Sequence, residues 1–198
     1  MIFLFAILAG LGIGLVLARL QKRPFTIPAL RHPWLVIVAF LPQVIFLYLP
    51  GIRFRVPDSL AAAALIASLV LLLLFCWFNR QLSGSWLLAL GLVLNLLVIV
   101  ANGGFMPLSP RVASRLVPPE IMASLASGDR FGWKDILLLP GQARLVWLSD
   151  YFLPPAWFPY QVAFSVGDVL IAAGVFWLLM TQGKPLEVHI RKISKDYG

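Results

Sequence analysis

Five stretches of this sequence run almost wholly apolar for roughly the twenty residues that an α-helix needs to cross bilayer hydrocarbon. They cover residues 2–18, 33–50, 59–78, 85–101 and 161–181. Of the 198 residues, 61% are hydrophobic and only 12% are charged, the latter about half the share of an ordinary soluble domain. The pattern predicts an all-α membrane protein, a polytopic bundle of about five transmembrane helices. It forms one transmembrane domain over residues 1–182, with an interfacial helical or loop segment at 102–160 outside the membrane. A basic tail follows at 183–198.

The net charge is +8 and the isoelectric point lies near 10.3. In a soluble chain such a balance suggests nucleic acid. Here the basic residues are dispersed between apolar spans, where they face anionic headgroups, so the bilayer is the expected partner and nucleic acid is not. Arg19, Lys22, Arg23, Arg31, Arg80, Lys184, Arg191, Lys192 and Lys195 fall on one side of a five-span arrangement. Arg53 and Arg55 oppose them, while Arg111, Arg115, Arg130, Lys134 and Arg144 lie in a long loop, where charge weighs less. The bias puts the N-terminus outside a bacterial plasma membrane and the C-terminus in the cytoplasm. Arg19 follows the first apolar run instead of preceding it, the reverse of a cleavable signal, so residues 2–18 are expected to stay as a span.

The single cysteine, Cys76, excludes an intrachain disulfide. His32 and His189 lack metal-ligand spacing. No metal or cofactor is expected. Gly10 and Gly14, one helical turn apart with Ala6 a turn earlier, suit close helix packing. Pro42 removes a backbone hydrogen bond inside the second span, and Gln43 beside it either lines an internal polar site or bonds a neighbouring helix. Asn95 and Asn102 stand two helical turns apart on one face. They form a polar stripe, or else Asn95 bonds a neighbouring span and Asn102 caps the helix before the NGGF turn. In the external segment, FGWKDILLLPGQARLVWLSDYF suits a helix or re-entrant stretch in the interface, with Trp133, Trp147 and Trp157 as aromatic anchors.

Asp168 lies inside the fifth apolar run, seven residues from its start and about 10 Å along a helix. Asp150 lies just before that run, in VWLSDYF. A carboxylate in hydrocarbon turns to a partner or a wet cavity. Ser165 shares the face of Asp168, and Gly167 admits a close backbone. The proline-rich stretch between the aspartates can fold the chain back so that the carboxyls meet. Two adjacent carboxyls share a proton, and such a pair can activate water for amide hydrolysis. The alternative is structural: Asp150 is solvated or paired with Arg144, and Asp168 caps a helix break or pairs with an arginine of another span.

NLLVIVANGGFMP, WLSDYF and FSVGDVLIAAGVFWLL together resemble an uncharacterised bacterial family of small polytopic membrane proteins, a domain of unknown function. That likeness implies a fold unit and no activity. LSDYF and FSVGDVLIAAG also resemble the two aspartate stretches of lipoprotein signal peptidase (signal peptidase II). That likeness implies a catalytic dyad of Asp150 and Asp168. Ser165 stands where that family has asparagine, its G-N-x-x-D-R motif has no counterpart, and it has four spans. Three functional readings follow, the weakest being a transporter with Gln43, Asn95 and Asp168 along its path. The first is a helical-bundle binding or scaffold protein with a polar site at the outer leaflet, formed by Gln43, Asn95, Asn102 and Ser165, whose partner is lipid or another membrane protein. The second is an intramembrane aspartyl hydrolase acting on a lipid-anchored or peptide substrate.

Overall fold

The computed structural model describes residues 2–22, 24–25, 29–48, 55–158 and 160–181. The basic tail at 183–198, with its expected place at the headgroups, lies outside the described residues, as do Arg23, Arg53 and the last two residues of the second apolar run. The chain is mostly helical, and each apolar run forms a helix: α1 (Ile2–Leu20), α2 (Trp34–Tyr48), α3 (Asp58–Phe78), α4 (Ser85–Ala101) and α7 (Val166–Met180). By length and composition, α1 and α3 are long and apolar enough to cross a membrane, while α2, α4 and α7 are shorter apolar helices. Pro42 sits inside α2, and the helix continues through it.

Backbone proximity orders the helices as α1, α7, α4, α3, α2, each packed chiefly on the next. Glycines set the closest contacts. Gly10 and Gly14 of α1 lie against Phe176, Leu179 and Met180, so α1 and α7 run the same way. Gly91 of α4 lies against the Gly167 carbonyl, and Gly84 at its start lies against Gly174 and Leu178 near the end of α7, so α4 and α7 are antiparallel. The α3–α4 turn is tied to the start of α2. The Asn79 side chain accepts from Arg31 N at 2.8 Å and donates to Arg31 O at 2.9 Å. The Ser85 hydroxyl donates to Asn79 O at 2.8 Å.

The 102–160 segment departs from expectation. Besides short helices and loops it holds a three-stranded sheet, so the chain is not all-α. The strands are β1 (Met106–Leu108), β2 (Arg130–Phe131) and β3 (Asp135–Leu137), in the order β1-β3-β2, with β1 parallel and β2 antiparallel to β3. Short helices α5 (Pro110–Ala113) and α6 (Pro119–Ser124) lie between β1 and β2. Gly132, at a φ of 69°, turns β2 into β3 and ends any helical reading of FGWKDILLL. Pro107 is tolerated because β1 is an edge strand. Buried along its whole length, β1 joins two cores: Met106 packs with the bundle, and Leu108 packs with Val112, Ala113 and Leu137.

This cap is joined to the helices at three points. Gly103 and Gly104 adopt positive φ after Asn102, as the NGGF turn requires, and deliver Phe105 onto Ala61 and Ala62 of α3. Arg130 lies 3.5 Å from Asp58 at the start of α3. A 3-10 turn at Val146–Leu148 packs against α4 and α7.

Candidate functional site: a buried carboxyl cluster under the cap

Helix α7 begins at Val166, not Gln161. Apolar content alone extended the run to 161, but Phe164 instead pairs with Phe152 in an antiparallel bridge, with N–H···O distances of 3.0 and 3.1 Å. Asp168 therefore stands in the first turn of α7 and not 10 Å along it. Ser165 is the N-cap: its hydroxyl accepts from Asp168 N at 3.0 Å, and its own N–H donates to Asp168 Oδ2 at 3.1 Å. This reciprocal pairing satisfies two donors that a helix start leaves open, and a carboxylate there is favoured by the helix dipole.

Asn95 of α4 closes the arrangement. Its amide donates to Asp168 Oδ1 at 2.9 Å, and its carbonyl oxygen accepts from the Ser165 hydroxyl at 2.9 Å. Asn95, Ser165 and Asp168 are all buried, and the ring they form fastens α4 to the start of α7. Asn102 plays a separate part. It caps the end of α4, donates to Val98 O and Arg144 O, and accepts from Arg144 N at 2.8 Å. The two asparagines thus serve different partners and form no shared stripe. Gln43, half-buried on α2, takes no part in either network.

Asp150 follows the 3-10 turn and is 1% exposed. Its partner is Lys134, not Arg144: Lys134 Nζ donates to Asp150 Oδ2 at 2.5 Å and lies 3.6 Å from Asp135 Oδ1. Lys134 and Asp135 occupy the turn into β3 and its first position, so the sheet carries the cation to the carboxyl. Burial alone would lower the Lys134 ammonium; the carboxylates of Asp135, Asp150 and Asp168 outweigh it and hold it well above its ordinary value. The influence of Asp168 on both Lys134 and Asp150 marks the two halves of the cluster as electrostatic neighbours.

The carboxyl that lies beside Asp150 is that of Asp135. Asp135 Oδ1 and Asp150 Oδ1 are buried, and neither has a donor. One proton between the two carboxyls gives both oxygens a partner. Burial, only partly offset by Lys134, pushes Asp135 up to about 8. Asp150 is also raised by burial, against the opposing pull of Lys134. A value near 8 keeps the proton on Asp135 near neutral pH, while Asp150 stands against the Lys134 ammonium. Neither Lys134 nor Asp135 stood out in the sequence as a site residue. Their one signal was an adjacent opposite-charge pair inside FGWKDILLLP, otherwise apolar on both sides.

This arrangement has a pH signature. A carboxyl held above its unfolded value keeps a proton that the unfolded chain has lost. Its stabilisation is complete below the ordinary value of 3.8 and is lost as pH rises through about 8. The purified protein should therefore melt at progressively lower temperature between about pH 4 and pH 8. Asp135→Asn should flatten that slope, since the amide donates without titrating. Melting curves across this range check it, and a wild-type profile as flat as the variant's would rule out the shared proton.

Among the described residues, no group of three or more His, Cys, Asp or Glu side chains is arranged to hold a metal ion. The cluster joins a small sheet to a set of packed apolar helices, which defines a mostly helical protein with a mixed cap and a buried ionic lock. The chain belongs to a family of unknown function, DUF5317, whose profile matches residues 28–180. A Thermotoga maritima protein described as uncharacterised is 34% identical over 112 residues, which is 55% of this chain and 58% of that protein. The alignment thus spans little more than half of that relative's length. No solved structure matches. The family resemblance read from NLLVIVANGGFMP, WLSDYF and FSVGDVLIAAGVFWLL is therefore met, whereas the likeness to signal peptidase II finds no support in these relatives.

Proposed function

We propose that this is a five-span integral protein of the bacterial plasma membrane, with its N-terminus outside and its C-terminus in the cytoplasm. It acts as a binding or scaffold protein whose outer face is the cap, and its partners are lipid and another membrane protein. Residues 1–182 are one transmembrane domain, and the carboxyl cluster is the lock that holds the cap on the bundle. The observation that carries this reading is the commitment of both aspartates. Asp150 is enclosed against Lys134, and Asp168 is consumed by the Ser165 cap and Asn95. A hydrolytic dyad of Asp150 and Asp168 acting on a lipid-anchored or peptide substrate needs carboxyls open to water and substrate, which a 1%-exposed Asp150 is not.

The exposed tryptophans support the membrane setting. Trp34, Trp77, Trp86 and Trp177 stand at one set of helix ends, while Trp147 and Trp157 stand in the cap segment at the other. Such paired belts suit the two headgroup levels of a bilayer. Trp133 differs from the anchors expected of it, being half-buried against the bundle core. The alternating helix directions also suit successive crossings, and α3 at 21 residues spans about 30 Å.

Sidedness is tested with single cysteines in a Cys76→Ala background. Ser127→Cys, exposed in the cap, should react with a membrane-impermeant maleimide on intact spheroplasts. Gln81→Cys, exposed in the α3–α4 turn, should react only after permeabilisation. Labelling of both from outside, or of neither, would refute the orientation.

A further inference from the structure

A groove of about 190 Å³ opens between α3 and α4 at the end opposite the cap, lined by Leu73, Cys76, Trp77, Arg80, Ser85, Trp86 and Ala89. Its lining is apolar apart from a few groups at one end. The Ser85 hydroxyl is already spent on Asn79 O. Arg80 is exposed, and its guanidinium lies 4.6 Å from the centroid of the Trp77 ring. Stacking on the ring face leaves the edge N–H donors of a guanidinium available. Among the described residues, Arg80 makes no ion pair with a carboxylate. The turn carries a second cation: Arg31 is joined through its backbone to Asn79, the residue before Arg80, and no described carboxylate pairs with it either.

We propose that this groove is a binding site for an anionic phospholipid of the inner leaflet, resting on the membrane reading given above. The acyl chain lies along Leu73, Cys76 and Ala89, between the rings of Trp77 and Trp86. The headgroup phosphate is held by Arg80, with Arg31 adding to the local positive field. Charge complementarity selects this occupant. A zwitterionic lipid fills the same apolar groove but brings its own cation to the arginine, whereas phosphatidylglycerol brings net negative charge. A guanidinium near the membrane surface is worth about 1 kcal/mol toward an anionic lipid, or roughly fivefold in affinity.

The test is native mass spectrometry of the full chain, delipidated in detergent micelles and titrated separately with phosphatidylglycerol and phosphatidylcholine. The first phosphatidylglycerol should bind roughly fivefold or more tighter than the first phosphatidylcholine. Arg80→Gln should abolish that preference, and Ala89→Phe, which fills the groove, should weaken both lipids. Arg111→Gln, in the cap, should change neither. Equal wild-type affinity for the two lipids, or a preference that survives Arg80→Gln, would overturn the site while leaving the membrane reading intact. A chain that remains monodisperse without detergent and binds neither lipid would overturn both.

Discussion

Replacing Lys134 by methionine should lower the melting temperature of the purified protein by on the order of 10 °C. Methionine keeps the length of the side chain and removes the charge. Asp150, 1% exposed, then has no cation against its carboxylate. Stranding one partner of a buried ion pair costs about 3–5 kcal/mol, and for a chain of this size each kcal/mol moves the midpoint by roughly 2–4 °C. The double variant Lys134→Met/Asp150→Leu should recover much of the loss, because an apolar pair of similar volume has no charge to desolvate. If the single variant melts with the wild type, Lys134 is not the partner that keeps Asp150 buried. If the double variant melts no better than the single, the defect lies in packing and not in the unpaired charge.

Gly167→Ala should be comparably damaging. A Cβ at this position would fall on the Asn95 side-chain oxygen and lie 2.8 Å from the Gly91 carbonyl. Helices α4 and α7 must then part, and the Asn95–Ser165–Asp168 ring opens with them. Overpacking costs about 1–3 kcal/mol, and each buried polar group left without a partner adds about 1–3 kcal/mol. The expected result is a loss of monodisperse protein when the purified variant is heated to about 10 °C below the wild-type midpoint. Gly12→Ala is the internal comparison, since nothing lies within 4 Å of its added carbon, and it should behave as wild type. Equal heat resistance of the two variants would contradict the close approach of α4 and α7.

Both effects arise where local sequence rules ran out. The ends of α3 and α4 were readable because apolar content changes sharply there: Pro57 and Asp58 open α3, and Asn79 and Gly84 separate it from α4. The start of α7 was misplaced because Val162, Ala163 and Phe164 are as apolar as the helix that follows. Ser165 with Asp168 three residues later carried the true boundary, as a capping pair. The cap sheet was hidden for a different reason. Its strands are two or three residues long, too short to show alternation, and β3 lies parallel to a partner almost thirty positions earlier in the chain. Within the candidate site, Asp150, Asp168, Asn95 and Ser165 were visible as polar groups among apolar ones. Asp135 and Lys134 carry no such signal, because side chains in an amphipathic stretch look solvated until a sheet turns them inward.

Chain composition and periodicity determined that most of this protein would be packed apolar helices, and where four of the five described ones begin to within a residue or so. Those properties follow from the transfer of apolar side chains out of water, which each segment expresses alone. Only the tertiary structure decided which carboxyls are neighbours. Pairing Asp150 with Lys134 and Asp135, and Asp168 with Asn95, depends on a parallel strand contact and a glycine-lined helix crossing. Neither leaves a local trace, because each is set by two segments far apart in the chain.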